Sequence, residues 1–248
     1  MNVANPPRTF HYGPMPCQAG ELYLPVEPTP PVVCLLHGGF WRTPWGRDQM
    51  VAVARDLQQR GFAVWNLGYR RVGETGGGWR GTLEDVAVGV DALADFVANG
   101  IALDLQRVTL VGHSAGGHLA LWCAAGGNTQ RIRPSAVVGL APITDLARCF
   151  AHLREPGVIA ELMGGTPDEQ QQRYRQASPL NLLPLGLPQL IIHGSEDEEV
   201  PLRWSSDYVT RACSAGDDAK LATIAGMDHM AFLDPASPAH GVLCRWLS

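Results

Sequence analysis

Residues 107–125 read RVTLVGHSAGGHLALWCAA. The apolar run Arg107–Gly112 ends in glycine, and Ala115–Ala125 follows at once with helical spacing. Between them lies Gly112-His113-Ser114-Ala115-Gly116, a G-x-S-x-G pentapeptide. A strand that turns directly into a helix holds the central residue in a strained conformation, and its neighbours two positions away must lack bulk. The Ser114 hydroxyl is thereby pushed out at the carboxyl end of a sheet. The N-terminus of the next helix favours negative charge developing there. The pentapeptide alone is a weak signal; its place between an apolar strand and a helix makes Ser114 a candidate nucleophile.

Outward from this turn, short apolar runs alternate with amphipathic stretches. Strand-like runs are Pro31–Leu36, Phe62–Leu67, Ala136–Leu140, Gln189–His193 and Lys220–Ile224. Helical spacing appears in Asp48–Arg60, Thr82–Ala98, Arg203–Ala215 and Pro238–Leu247, with Thr82 and Asp85 in a cap-like pair. Fully apolar strands alternating with helices predict an α/β domain: a mostly parallel central sheet with helices on both faces. Phe10–Leu24 is expected to add an antiparallel hairpin at one edge. Asp145–Leu183 breaks the rhythm with Gly164-Gly165 and the polar stretch Asp168–Arg173. It reads as a small helical insertion over the sheet, and residues 145–183 are a candidate lid on a single domain spanning 1–248.

Composition narrows the function classes. A length of 248 residues suits one domain, which can bury a sizeable core without staples. The 28 glycines and 19 prolines are about a fifth of the chain, against an average near 12%. Only 17% of residues are charged and the net charge is −5. No Lys/Arg run supplies the basic stripe that a nucleic-acid backbone requires. The apolar runs are broken by Gly, His or Pro, which argues against a membrane span. Met1–Cys17 shows no basic segment followed by an apolar one, so no secretory leader is expected. The six cysteines, at 17, 34, 123, 149, 213 and 244, form no CxxC pair and read as free thiols. The expected location is cytoplasmic.

A second motif follows the strand Pro31–Leu36: His37-Gly38-Gly39-Phe40-Trp41. A Gly-Gly turn frees backbone N–H groups to converge where an oxyanion forms. The expected donors are the N–H groups of Gly39, Phe40 and Ala115, with His37 holding the loop. A serine nucleophile needs a base, and the base an orienting carboxylate, in the chain order Ser, acid, His. Gly194-Ser195-Glu196-Asp197-Glu198-Glu199 follows the strand Gln189–His193. Asp197 is the preferred acid, with Glu196 and Glu198 beside it and Asp145 as the main rival. His229, in Asp228-His229-Met230 after the last strand, meets both order and loop placement. His11, His113, His118, His152, His193 and His240 fail on position. A histidine base acts when neutral, so the rate is expected to fall below roughly pH 6–7.

These pieces resemble the α/β-hydrolase fold from about Pro31 to the C-terminus. More narrowly, HGGFW at 37–41 with GHSAGG at 112–117 is similar to the small esterases related to kynurenine formamidase (arylformamidase). The resemblance implies Ser114 as nucleophile, Asp197 as acid and His229 as base. Phe40 departs from it, because the animal formamidases carry tyrosine there. Feruloyl-esterase-like and acetyl-esterase-like relatives share the motifs, so the resemblance leaves the substrate open.

The expected reaction is acyl transfer from an ester or aryl formamide through an acyl-enzyme. Phe40, Trp41, Trp45, Tyr69, Trp79, Met230 and Phe232 lie on loops at the expected catalytic face. Trp41, Trp79 and Met230 are the candidate substrate-binding residues. Gly73–Trp79 is glycine-rich but lacks the context of a phosphate cradle. No metal-ligand spacing is present, so neither metal nor organic cofactor is expected. The expected partner is a small-molecule ester or amide; a homodimer is allowed, and no nucleic acid or membrane is expected. Two other readings are open. One is a peptidase like the prolyl oligopeptidase catalytic domain, whose usual propeller this length cannot hold. The other is an inactive binding module on the same fold.

Overall fold

The computed structural model describes residues 5–127, 131–153 and 157–248. Eight strands form one sheet: β1 (Arg8–His11), β2 (Ala19–Tyr23), β3 (Pro31–Leu36), β4 (Ala63–Leu67), β5 (Asp104–His113), β6 (Ala136–Leu140), β7 (Gln189–Gly194) and β8 (Ala219–Ile224). Their order across the sheet is β1-β2-β4-β3-β5-β6-β7-β8. β1 with β2 and β2 with β4 pair antiparallel, which is the expected edge hairpin. All other pairs are parallel. Every residue of β4 and β7, and all but the first of β3, is buried, as continuous apolar runs require in a sheet covered on both faces.

The helices are α1 (Val51–Gln59), α2 (Gly81–Ala98), α3 (Ala115–Ala124), α4 (Leu146–His152), α5 (Gly157–Met163), α6 (Gln171–Ala177), α7 (Leu202–Ser214) and α8 (Pro238–Leu247). One core joins α2, α3, the helices between β6 and β7, and α7 to one face of the sheet. A second core sets α1 and α8 on the other face. This is the α/β-hydrolase fold. No helix among the described residues is long and apolar enough to cross a membrane.

The chain leaves β3 for β4 on one side, then returns to lay β5 on the other. The order therefore reverses between β3 and β5, and clefts form beyond the carboxyl ends of such strands. Leu36 pairs with Gly112 across this point. The register thus sets the HGGFW loop, which follows Leu36, beside the turn at Ser114.

Residues 145–183 form α4, α5, α6 and a 3-10 turn, Pro179–Asn181; residues 154–156 lie outside the described ones. Ile159, Leu162, Met163, Tyr174 and Ala177 are buried in the first core. The polar stretch Asp168–Arg173 leads into α6 with mostly exposed side chains.

The cap expected at Thr82 and Asp85 is replaced by another arrangement. The helix starts at Gly81, the Thr82 hydroxyl accepts from Gly78 N and donates to Arg70 O, and Asp85 is buried. Asp85 receives Arg70 Nη2 at 2.6 Å, Arg70 Nε at 2.8 Å and Gln18 Nε2 at 2.7 Å. A buried charge needs a partner more than a helix end needs a cap, so the bidentate guanidinium decides the geometry.

Candidate active site

β5 runs straight into α3, leaving Ser114 at φ 54°, ψ −118°. A positive φ at a residue with a Cβ costs on the order of 1–3 kcal/mol and needs surroundings that enforce it. Close packing enforces it here. A Cβ on Gly112 would collide with the Gly116 carbonyl, and one on Gly116 with the carbonyls of Leu36 and His37. Ser114 is 8% exposed, and its main-chain N–H donates to Leu140 O at 2.8 Å.

The acid and base loops follow β7 and β8. His229 Nδ1 donates to Asp197 Oδ2 at 2.7 Å. The Asp197 side chain is fully buried, and its other oxygen accepts from Val200 N at 2.8 Å and Glu199 N at 3.0 Å. His193 Nε2 donates to Val200 O at 2.9 Å and lies 3.3 Å from Asp197 Oδ2. Burial opposes ionisation of Asp197, but the hydrogen bonds of His193, His229 and Val200 outweigh it and hold the carboxyl well below the usual range. The rival Asp145 is occupied elsewhere: its side chain caps α4, accepting from Ala147 N and Arg148 N.

Neither the Ser114 hydroxyl nor the outer nitrogen of His229 has a hydrogen-bond partner among the described residues, yet both line one cleft. The N–H groups of Gly39, Phe40 and Ala115 are likewise unengaged among the described residues. Gly39, Phe40 and Trp41 have φ of 101°, 52° and 54°, a left-handed run that turns the loop back toward Ser114. A Cβ on the neighbouring Gly38 would lie 3.2 Å from Ser114 Cβ, so the two loops are in contact. His37 is buried and stacked on Tyr69 with 4.3 Å between ring centroids. Its Nδ1 donates to Gly38 O at 2.8 Å, and Tyr69 O–H donates to His37 O at 2.7 Å. Burial lowers the His37 pKa to about 4, which fits a loop fastener that stays neutral.

The cleft at Ser114 is narrow, with about 10 Å³ of open space, and is walled by Phe40, Trp41, Ile143, Cys149, Leu153, Glu199 and Val200. It lies beside a wider basin of about 770 Å³, lined by Phe40, Arg42, His152, Glu161, Glu198 and Glu199 among others. Trp41 is on the cleft wall but 1% exposed, and its Nε1 donates to His118 Nδ1 at 3.1 Å. Met230 is 53% exposed and borders a basin with Asp197 and His229. Trp79 does not reach the cleft. It lines a separate groove of about 280 Å³ with Trp122 and Leu83, beside α2 and the end of α3. Tyr69 and Phe232 are buried in loop packing. Sequence reasoning missed Ile143, Cys149, Leu153 and Val200, which carry no motif; only their places just beyond β6, on α4 and beyond β7 mark them. Among the described residues, Asp56, His240 and Cys244 bring ligand atoms within 4.8 Å of one another. His240 and Arg60 already share Asp56 there, and the cluster is apart from the Ser114 cleft.

The BD-FAE family matches residues 21–211, more than half of the chain. The isoprenylcysteine alpha-carbonyl methylesterase ICME of Arabidopsis thaliana is 25% identical over 252 residues, covering 90% of this chain and 56% of that protein. The chain spans about half the length of the curated relatives it matches. A truncated carbohydrate esterase from gut microbiota superposes with TM-score 0.85 at 19% identity, covering 98% of this chain and 95% of that one. The butyrate-bound esterase Est2 of Thermogutta terrifontis gives 0.77 at 19% identity, with 97% and 91% covered. These likenesses show a shared fold.

Proposed function

This chain belongs to the BD-FAE family, and from that premise we propose that it is a serine carboxylesterase cleaving short-chain acyl esters through Ser114, His229 and Asp197. The observation that carries the proposal is the 2.7 Å bond from His229 to Asp197, with the outer His229 nitrogen free in the cleft that Ser114 lines. His229 takes the Ser114 proton as the hydroxyl attacks the ester carbonyl. The N–H groups of Gly39, Phe40 and Ala115 receive the developing oxyanion. The imidazolium returns the proton to the departing alcohol, leaving an acyl-serine. A water activated by His229 then releases the acid, and Asp197 holds the imidazole tautomer throughout.

Cleft size sets the expected acyl group. At about 10 Å³ the open space beside Ser114 is far below the roughly 300–1,000 Å³ of clefts for drug-sized ligands, and the walls are mainly apolar. So tight an apolar slot favours acyl chains of few carbons, and the butyrate held by the Thermogutta esterase supports the same size class. The wider basin has charged and polar walls, which suit a polar alcohol. The gut-microbial neighbour, a carbohydrate esterase, supports an alcohol of the sugar-hydroxyl class.

One panel tests this reading. Labelling by a fluorophosphonate is expected at Ser114 with one label per chain. Turnover is expected on p-nitrophenyl acetate and butyrate, falling steeply at octanoate. Ser114→Ala is expected to lose about 10³-fold or more of kcat. N-formylkynurenine and a proline dipeptide amide run beside the esters. Preference for the first would favour an aryl formamidase, and for the second a peptidase. A folded chain that takes no label would favour a binding module.

A further inference from the structure

His113 stands between Gly112 and Ser114, yet its ring reaches another loop 116 residues further along the chain. Its Nε2 lies 2.8 Å from the main-chain oxygen of His229. A carbonyl can only accept, so Nε2 carries the proton and donates. The His113 ring is 4.7 Å from the His229 ring, centroid to centroid, and 5.6 Å from that of Phe232. On its other side a Cβ at Gly38 would lie 3.0 Å from His113 Nδ1. One buried imidazole therefore touches the oxyanion loop, adjoins the nucleophile and bonds to the base loop.

Resting on the esterase reading above, we propose that His113 is a positioning residue for the base: its Nε2–H to His229 O bond and its ring contact fix the His229 loop over Ser114. A base must be held to within a fraction of an ångström, since a displacement near 1 Å can cost about 10²-fold in rate. Asp197 fixes one edge of the His229 ring, and the start of the loop is tied to the acid turn by Glu196 N to Met227 O and Gly226 N to Ser195 Oγ, which leaves the main chain at His229 itself to be held. His113 holds it from the same turn that carries Ser114, so nucleophile and base share one reference point. Neutrality is part of the device. Burial, followed by the neighbouring His229, pushes the His113 pKa down to about 3, so no second cation competes with the imidazolium formed in turnover. The Nδ1 atom, left without a proton, has no partner among the described residues and faces the bare Gly38.

The test is kcat and KM on p-nitrophenyl acetate, per site titrated with a fluorophosphonate, for wild type, His113→Phe and His113→Gln. Phe keeps the ring and removes the donor; Gln keeps a donor of similar reach. The expected result is a kcat per titrated site about 10- to 100-fold lower in His113→Phe, KM within about twofold, and most of the loss recovered in His113→Gln. Where Phe prevents folding, His113→Met fills the space without an N–H and takes its place. The proposal is overturned if titrated sites and melting temperature fall while kcat per site stays at the wild-type value, because that marks a purely structural residue. Failure of Gln to recover what Phe loses overturns it as well. A wild-type chain that hydrolyses no ester refutes the esterase reading itself, before any variant is compared.

Discussion

Acidification of this protein is expected to unfold it through three buried, neutral histidines packed around the Ser114 turn. Burial lowers the pKa of His37 to about 4, of His113 to about 3 and of His118 to about 4. In the unfolded chain a histidine titrates near 6.5. Between about pH 6.5 and 4 the unfolded state therefore holds the protons that the folded state refuses. Stability contributed by these groups is full above the unfolded value and is lost as pH falls toward the folded values. Integrated from pH 7 to pH 5, each site removes about 2 kcal/mol, and three remove on the order of 5 kcal/mol. That rivals the whole stability of a typical domain, about 5–15 kcal/mol. Urea unfolding followed by tryptophan fluorescence reads this directly, since Trp41, Trp65 and Trp204 are fully buried. The expected free energy drops from pH 7 to 5 with a mean slope near two protons, steepening toward three at the acid end. Replacing His118 by Gln, which keeps a donor and an acceptor, should lower that slope by about a third. A stability that changes by less than about 2 kcal/mol over this interval would refute the assignment of all three rings as neutral and buried.

Asp197→Asn should leave the backbone of the acid turn in place and lower kcat on p-nitrophenyl acetate by about 10³–10⁴-fold, because the imidazole tautomer is no longer fixed. A decline under tenfold would return Asp145 to consideration. Gly116→Ala should abolish soluble expression or lower the melting temperature sharply, since the new Cβ meets the main-chain carbonyls of Leu36 and His37, which cannot move aside. Gly157→Ala meets nothing within 4 Å among the described residues and should stay within about 0.5 kcal/mol of wild type in the same denaturation assay.

The fold was legible because its strands are short, fully apolar and bounded by turns. β3, β5 and β7 start or stop within a few residues of the apolar runs in the sequence, and the hairpin at Phe10–Leu24 appears as β1 and β2. The loops carrying Ser114, His229 and Asp197 were legible because each follows a strand at one end of the sheet. Register was not legible. That Leu36 pairs with Gly112, which puts the oxyanion loop beside Ser114, depends on long-range strand pairing with no local signature. The place of Trp79 is not legible for the same reason: its glycine-rich approach resembles a catalytic-face loop, but the fold sets it in a separate groove with Trp122 and Leu83. Position excludes His113 and His118 as the base and says nothing of the segments their rings bond instead. A side chain leaving the turn at Ser114 reaches other loops in space, and nothing in the spacing of the sequence records that.

The buried histidines explain how a site built from four separate loops holds together without further charges. Neutral imidazole carries one donor and one acceptor on a rigid ring, so it can tie two chain segments at fixed distance. His118 accepts from Trp41 Nε1 and donates to Ala177 O at 2.8 Å, joining the oxyanion loop to the end of α6. His113 joins the Ser114 turn to the base loop. Lysine or arginine in these places would set a cation next to His229 and oppose the charge it takes up in turnover. A carboxylate would compete with Asp197 for the same imidazole. Neutral rings avoid both, which leaves Asp197 as the ionised group bonded to the base. The same choice accounts for the acid sensitivity, since a ring that positions a loop only while neutral favours unfolding once the solvent can protonate it.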